Sequence, residues 1–501
     1  MKRSAKLWLV LWLVAWPTGS ALAQAIDEEA ALRLALQHNA TLQAATLQWR
    51  AEGHAVEAEA HRYGFELRTR AAAGRSESPT ALDRRIQIDE SKTLDLEVAL
   101  DRRLSLGTVL SLSVSGNVVR DGAGSGLEEE GLSLGPTYAL QTQLTLTQPL
   151  LRGAGRDVGE AELRRARLTQ AGAGHARDRV ALELMGSVLI GYWELWYAAR
   201  ALEIQRESHA LLSQQYAQAR SMVTNGALAE ADALPFATRA VALEDAVVSA
   251  EAERQRRSVE LAAAIGLDAQ QHAELTVDGD PVAPPAVPLE AREALRAAYD
   301  QSDELEELRT TVELAREEAK IAGEPLRPRL DLEAAIGFRG LGDRDLAPPF
   351  EQLGRLAAVS GQLAAVFELP LDSTQRRGQV AAARLTADAA QARWQARVRQ
   401  IAAAVRGALS RIESSERRVE VGRRAVSVAT QLATAQQGRF LTGLGTALQV
   451  LEAQEELRSA QLRLLRAEAD GGTASLMLAQ LTGEPLRGHA PVRRALAASA
   501  R

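Results

Sequence analysis

Histidine and carboxylate side chains are the groups in this sequence that could carry acid–base or metal chemistry. The seven histidines include one pair, His54 and His61, that lies two turns apart on a predicted helix. An exposed pair with this spacing is usually solvated, and it lacks the HExxH pattern of a zinc site. No nucleophile elbow, Ser–His–Asp pattern or phosphate-binding loop is present. The sequence therefore predicts no enzyme, no cofactor and no metal site.

The N-terminal residues predict export. Lys2, Arg3 and Lys6 precede an apolar run of about ten residues, too short for a bilayer, which needs about 20. Ala21-Leu22-Ala23 then resembles a cleavage site, so we predict a signal peptide over residues 1–23. Its removal lowers the formal net charge from −6 to −9. The absence of cysteine excludes disulfides and an acylated N-terminal cysteine. An acidic chain with no basic run argues against nucleic acid as a partner.

A long internal repeat organises the rest of the chain. Ala31-Leu32-Arg33 recurs 263 positions later as Ala294-Leu295-Arg296. Ala166-Arg167-Leu168-Thr169 recurs 217 positions later as Ala383-Arg384-Leu385-Thr386. Such a unit is longer than the roughly 20–50 residues of a solenoid repeat, so we predict a tandem duplication. The predicted boundaries are 24–280 for the first repeat, 281–485 for the second and 486–501 for a C-terminal tail.

Both repeats contain the same order of elements: helix, strands, long helix, glycine turn and shorter helix. In the first repeat we predict a helix to about residue 62, strands at about 65–149, a long helix over 156–224, a turn at 225–226 and a helix to 266. In the second we predict a helix, strands at about 328–370, a long helix over 374–441, a turn at 442–443 and a helix to 483. A 65-residue helix is roughly 100 Å long, and the two shorter helices end to end match it. We therefore predict that each repeat forms a rod, in which the long helix packs against the two shorter helices.

The predicted strands alternate apolar and polar residues. Examples are Phe65-Glu66-Leu67, the segment from Leu94 to Leu100, and the segment from Leu110 to Val114. This alternation favours membrane strands with an apolar face to lipid, although a half-buried strand of a soluble sheet is the alternative. Four to six strands cannot close a barrel, which needs about eight, and open edges cannot face lipid. If the strands span a membrane, several chains must therefore close one barrel.

Two segments resemble the TolC-like outer membrane efflux protein family, and the order of elements is similar over essentially the whole mature chain. Residues 144–153 resemble its proline-bearing junction between strand and helix. The two turns resemble its helical-hairpin signature, which has a glycine, then an acid, then an alanine-rich helix. In this sequence the signature covers Gly226, Asp232 and Leu234 in the first repeat, and Gly443, Gln449, Leu451 and Glu452 in the second.

The resemblance implies a mainly α fold with a membrane β-barrel contribution, built on a duplicated helix–strand–strand–helix–turn–helix. It implies a homotrimer with a long periplasmic α-helical barrel and a 12-stranded β-barrel in the outer membrane of a Gram-negative bacterium. The implied function is a passive exit duct of a tripartite efflux or type I secretion system. The implied partners are a periplasmic adaptor (membrane fusion) protein, an inner-membrane transporter and outer-membrane lipid.

The resemblance also implies a gate at the periplasmic end. The implied gate residues are Asp232, Phe440, Gln449 and Glu452, and the implied adaptor-contacting hairpin tips are Asn225, Gly226, Thr442 and Gly443. Gly445 and Gln449 stand where the family has a basic residue and an acid, so a salt-bridge latch does not follow. One potential ring of three Glu452 carboxylates remains, which would select cations in a narrow tunnel. Ordinary solvated helix residues are the alternative for Glu452 and Asp232.

Two alternatives stay open at this point. Residues 93–119 either lengthen an extracellular loop or add two strands to the barrel. The whole chain could also be a periplasmic coiled-coil adaptor or structural protein without a pore, because long helices joined by glycine turns suit it equally. The strand alternation over membrane-spanning lengths favours the channel.

Overall fold

The structure is a computed structural model that describes residues 24–82, 85–121, 136–267, 275–277, 279–282 and 290–492. The predicted signal peptide, residues 1–23, and residues 493–501 of the predicted tail lie outside these ranges. The chain forms two compact units, which we name by their contents. The helical unit comprises residues up to Ala45, Arg177–Asp303 and residues from Val398 onward, and the sheet unit comprises Thr46–Ala176 and Glu304–Arg397. Each unit therefore takes segments from both repeats.

Helices make up most of the described chain. In chain order they are α1 (Glu28–His38), α2 (Ala40–His61), α3 (Arg156–Gly159), α4 (Ala161–Thr224), α5 (Glu230–Ala264), α6 (Ala291–Asp300), α7 (Asp303–Gly323), α8 (Ala347–Gly354), α9 (Thr374–Leu441), α10 (Ala447–Thr482) and α11 (Glu484–Gly488). The two long helices, α4 and α9, contain 64 and 68 residues and no proline. None of the helices in the ranges given above is long and apolar enough to cross a bilayer.

Six strands of the sheet unit form one antiparallel sheet, and two short strands pair in parallel in the helical unit. The strands are β1 (Gln24–Ile26), β2 (Phe65–Leu82), β3 (Arg85–Arg103), β4 (Val109–Asp121), β5 (Thr137–Pro149), β6 (Leu275–Val277), β7 (Arg329–Asp343) and β8 (Val359–Glu368). The sheet order is β2-β3-β4-β5-β7-β8, and β1 pairs with β6. The central β5–β7 pair joins the first repeat to the second.

The two repeats contribute different numbers of strands to the sheet. Residues 93–119 lie in β3 and β4, which pair with each other and with β2 and β5 on either side. Within the described residues, the first repeat thus supplies four strands of this sheet and the second supplies two. The two strands per repeat that the resemblance implies hold for the second repeat only, and the total of six lies within the four to six strands expected from the alternation.

The sheet has one apolar and one polar face. The strand register places Leu67, Leu100, Leu112, Leu144, Ile336 and Gly361 in one row across all six strands. The neighbouring row on the opposite face contains Glu66, Asp101, Ser111, Thr145, Ala335 and Gln362. In a single chain the side chains of the apolar face are exposed to solvent, for example Leu67 at 67 % and Leu363 at 73 %. The sheet therefore requires an apolar environment on this face.

Helices of the sheet unit are joined by a small apolar cluster and a buried ion pair. Val312 and Ala315 of α7 pack against Ala387 and Ala390 of α9. Arg164 of α4 donates to the Glu317 carboxylate of α7 at 2.6 Å. Lys320 of α7 also donates to this carboxylate at 3.1 Å, so the almost fully buried Glu317 has two cations that compensate its charge.

The predicted continuous N-terminal helix is interrupted at Asn39. The Asn39 side chain caps α2 by accepting from the backbone N–H groups of Thr41 and Leu42, at 3.0 and 3.1 Å. Its amide also donates to the Ala264 carbonyl at the end of α5. Asparagine commonly caps helices in this way, but neither the helical periodicity nor the absence of proline indicated a break.

The same interruption occurs in the second repeat, between α6 and α7. Gly266 follows α5, and a Cβ there would lie 2.8 Å from the His38 carbonyl oxygen. Its repeat equivalent, Gly483, follows α10 and has the Gln301 carbonyl oxygen 3.1 Å from a Cβ. The repeat shift of 263 relates His38 to Gln301, so each repeat uses a glycine to bring a helix end close to a helix break.

The main core of the helical unit joins α1, α4, α5 and α10. Its fully buried side chains include Leu32, Leu189, Tyr192, Leu261 and Leu476. Trp193 lies against this core and meets Trp196 edge-on, with 5.7 Å between ring centroids. Gly472 of α10 faces the Trp193 ring so closely that a Cβ would lie 2.5 Å from it. Only a residue without a side chain fits here.

Replacing Gly472 with alanine should lower stability, because the Trp193 ring is held in the core and must shift. The expected cost is about 1–3 kcal/mol, seen as a lower melting temperature by circular dichroism at 222 nm. The matched control is Gly407→Ala on α9, where nothing lies within 4 Å of a Cβ. That exposed helical site should gain roughly 0.5–1 kcal/mol, so equal shifts in the two variants would contradict the packing argument.

Candidate functional site

Two glycine turns in the helical unit have the same geometry. Gly226 follows α4 and Gly443 follows α9, with φ angles of 73° and 74°. In the first turn the N–H groups of Gly226 and Ala227 donate to the carbonyls of Val223 and Met222, both at 2.9 Å. Residues 439–444 repeat both bonds in the second turn. These are Schellman turns, whose left-handed residue is normally glycine, and they allow α5 and α10 to turn back directly.

Gln449 caps the helix that follows the second turn. Its backbone N–H donates to the Thr446 hydroxyl at 3.4 Å, and its side-chain oxygen accepts from the Thr446 N–H at 3.2 Å. This capping box satisfies two backbone donors at the start of α10. The repeat equivalents are Ala229 and Asp232. Ala229 has no capping side chain, and Asp232 supplies only a negative charge in the first turn of α5.

Phe440 joins the two helical hairpins. Its ring meets Phe236 of α5 at 5.6 Å between centroids with the planes at 60°. Phe236 is fully buried, and the surrounding apolar cluster includes Leu212, Ala219, Leu243 and Leu451. The aromatic residue assigned to the gate therefore also packs in the core beside the turns, where it stabilises the contact between hairpins.

Gly445 lies against the end of α9, at the position where the family has a basic residue. A Cβ on Gly445 would lie 3.3 Å from the Arg439 Cβ and 3.2 Å from the Phe440 nitrogen. The Arg439 guanidinium donates to the Leu444 carbonyl at 3.3 Å. A basic group is thus present at this turn, but it comes from α9. Sequence reasoning missed it because it considered only the residues after the turn glycine.

Asp232 and Glu452 are exposed carboxylates near the turns. Within the described part of the chain, neither side chain has a hydrogen-bond or ion-pair partner. The repeat shift of 217 places Pro235 opposite Glu452, so this position supplies one carboxylate per chain. Both side chains therefore remain available to ions or to other chains.

An ion-pair network beside Glu452 holds α5 against α10 and α10 against α4. Glu455 accepts from Arg239 of α5 and, at 3.0 Å, from Nε of Arg458. Arg458 also donates to the Gln205 side chain of α4 at 2.9 Å. Sequence reasoning missed these residues, although the i, i+3 spacing of Glu455 and Arg458 was a visible signal. The network positions the helix that carries Glu452.

The pKa of Glu455 lies below its ordinary value of 4.5. Burial of the carboxylate raises the pKa, but the hydrogen bonds from Arg458 and Arg239 lower it by more. A carboxylate with a lowered pKa stabilises the fold above its unfolded-state pKa, and this contribution is lost as the pH falls through the folded-state pKa. The contact between α5 and α10 should therefore weaken below about pH 4.5.

Replacing Glu455 with glutamine should remove part of this pH dependence. At pH 7 the variant should melt at a lower temperature than the parent, because Arg239 and Arg458 lose their charge partner. The difference should shrink between pH 4.5 and pH 3, where the parent carboxylate protonates. Melting curves across this range provide the measurement, and Glu416→Gln on α9 provides the charge-matched control. A constant difference at all pH values would contradict the assigned role of Glu455.

The described ranges contain no group of three or more histidine and carboxylate side chains arranged to hold a metal ion.

Residues 294–484 match the model of the outer membrane efflux protein family. A search of curated proteins found no match.

Solved structures share the fold over most of the chain. The outer-membrane channel OprN is 18 % identical, with a TM-score of 0.66 and coverage of 91 % of this chain and 89 % of that one. VceC from Vibrio cholerae is 17 % identical, with a TM-score of 0.66 and coverage of 91 % and 96 %. The Campylobacter jejuni channel CmeC is 12 % identical, with a TM-score of 0.66 and coverage of 91 % and 85 %. The second repeat thus matches the model of the outer membrane efflux protein family over residues 294–484, and the described chain has the fold of these outer-membrane channels.

Proposed function

We propose that this chain forms a homotrimeric exit duct in the outer membrane, which passively exports substrates delivered by an inner-membrane transporter and a periplasmic adaptor. The observation that carries the proposal is the six-stranded sheet, which has an apolar face and two open edges. In lipid such a sheet must close, because each unpaired backbone group in hydrocarbon costs several kcal/mol. Six strands are too few to close alone, so further copies must complete the barrel.

A second feature of the helical unit supports oligomerisation. Leu234, Val241 and Val248 of α5 recur every seven residues, and the two valines are 67 % and 60 % exposed. Val421 and Val428 of α9 have the same spacing and are also exposed. Apolar residues at heptad spacing are typical of a seam between packed helices. We assign these two stripes to contacts with neighbouring copies.

The turns supply the proposed site for the periplasmic partners. Asn225 and Thr442 are exposed beside the two turn glycines, and the same backbone geometry is presented twice per chain. A trimer would offer six such turns to an adaptor. We assign Glu452 to a ring of three carboxylates at the periplasmic entrance, with Asp232 from the first repeat beside it. Phe440 and Gln449 would support this entrance through packing and helix capping.

The first test is the mass and conductance of the mature protein. Light scattering in detergent should give a trimer, and a planar bilayer should show discrete conductance steps. A monomer or dimer without conductance would overturn the duct and favour a periplasmic adaptor, which needs no pore.

Charged substitutions in the α5 stripe should break the trimer. Val241→Glu together with Val248→Glu would place two charges in each apolar seam, which should raise the dissociation constant of the trimer tenfold or more, equal to about 1.4 kcal/mol or more. Sedimentation in detergent measures the effect. The control is Ser249→Glu, an exposed polar position of the same helix. A fully trimeric double variant would show that the stripe lies outside the interface.

Replacing Glu452 with glutamine should weaken cation selectivity and block by multivalent cations. Three nearby carboxylates bind such cations far more strongly than one, so their removal should raise the blocking concentration roughly tenfold. Single-channel recordings with added trivalent cation measure it. Glu416→Gln, with the same change of charge about 40 Å along the helix from the second turn, should have little effect. Equal block in the parent and the Glu452 variant would refute the ring.

A further inference from the structure

We infer that β3 and β4 span the membrane, so that three chains close a barrel of 18 strands, wider than the 12 expected from the resemblance. This inference rests on the proposed trimer and concerns the size of its pore. The alternative is that the β3–β4 hairpin extends outside the membrane as a decoration of a 12-stranded barrel.

The apolar rows run through the extra hairpin without a break. Val98 of β3 pairs directly with Val114 of β4, and the same row continues to Thr142 and Phe338. The next row contains Leu100 and Leu112. All four apolar side chains of β3 and β4 in these rows are exposed in a single chain. A hairpin outside the membrane would be surrounded by water, so it would not be expected to continue the apolar rows of the neighbouring strands.

The apolar segments also have the length of a membrane crossing. Apolar residues alternate from Leu94 to Leu100 in β3 and from Leu110 to Val118 in β4. The β4 stretch, nine residues at about 3.4 Å each and tilted by about 40°, covers roughly 20 Å of depth, close to the 25 Å apolar band of outer-membrane barrels, and the β3 stretch is two residues shorter. The register places this band level with Leu140–Leu146 of β5. The hairpin therefore lies at the same depth as its neighbour.

The opposite face has the polar character of a channel lumen. Asp101 of β3 accepts from the Ser111 hydroxyl at 2.5 Å and forms an ion pair with Arg68 of β2 at 3.3 Å. Asp95 accepts from the Asn117 amide of β4. These side chains satisfy one another across strands β2, β3 and β4. A polar ladder of this kind is typical of the water-filled side of a barrel.

The strand count allows closure around the ring. Because six strands alternate in direction, β2 and β8 run antiparallel to each other, and β8 of one copy can continue the antiparallel pattern beside β2 of the next. Barrel diameter grows roughly in proportion to strand number, so 18 strands give about 1.5 times the diameter of 12. The pore through the outer membrane would be wider by the same factor.

The test uses single cysteines, since the natural sequence contains none. Val98→Cys and Val114→Cys should face lipid, whereas Glu97→Cys and Ser115→Cys, which also pair directly, should face the lumen. Each variant is labelled with bimane and placed in vesicles with brominated lipid. Quenching at the two valine positions should equal that at Leu144→Cys on β5, and the two lumen positions should be at least threefold less quenched.

A trimer that conducts but shows no quenching at Val98 and Val114 would overturn the inference and leave the proposed duct intact. A chain that forms neither trimer nor channel would instead refute the duct itself. End-on cryo-electron microscopy of the trimer in nanodiscs gives a second measurement, with 18 strands expected and 12 contradicting the inference. Deleting residues 85–121 should reduce the diameter to about two thirds. If this deletion variant fails to assemble, the number of strands seen in the full-length trimer still distinguishes an 18-stranded barrel from a 12-stranded one.

Discussion

The need to pair every backbone N–H and C=O group in lipid is the constraint on which the rest of this structure depends. A sheet with an apolar face and two open edges cannot be stable in hydrocarbon as a single copy. In lipid, hydrogen bonding in the sheet unit would therefore require further copies of the chain, before any contact between helices is considered. In the proposed trimer, the exposed heptad stripes of α5 and α9 would bury their apolar side chains between neighbouring copies.

Because the chain is duplicated, the two repeats share several structural features. Both repeats use a Schellman turn between helices, and both bring a glycine against a helix break, at Gly266 and at Gly483. The copies then differ where chemistry differs. Thr446 and Gln449 cap one hairpin where Ala229 and Asp232 stand in the other, and Glu452 corresponds to Pro235. The structural positions are thus shared, whereas each of the two carboxylates, Asp232 in the first repeat and Glu452 in the second, has no charged equivalent in the other repeat.

Much of this fold could be predicted from the sequence, because periodicity reports which face of an element is buried. Long helices without proline, the glycine turns and the alternating strands all have such signals. The break at Asn39 had none, since it depends on a carbonyl of α5 distant in sequence. Alternation also does not show which strands pair with each other. The pattern in residues 93–119 therefore could not show whether β3 and β4 join the sheet. At the site, the sequence indicated the turns, but the roles of Arg439 and Glu455 depend on contacts between helices.

The position of the β3–β4 hairpin bears on how such pores change in evolution. An insertion must contain an even number of strands, or every following strand would run in the wrong direction. In a trimer each inserted hairpin is counted three times. Barrel size can therefore change only in increments of six strands, so pore width is inherited in discrete steps, and one loop-sized insertion in a gene is enough to take a step.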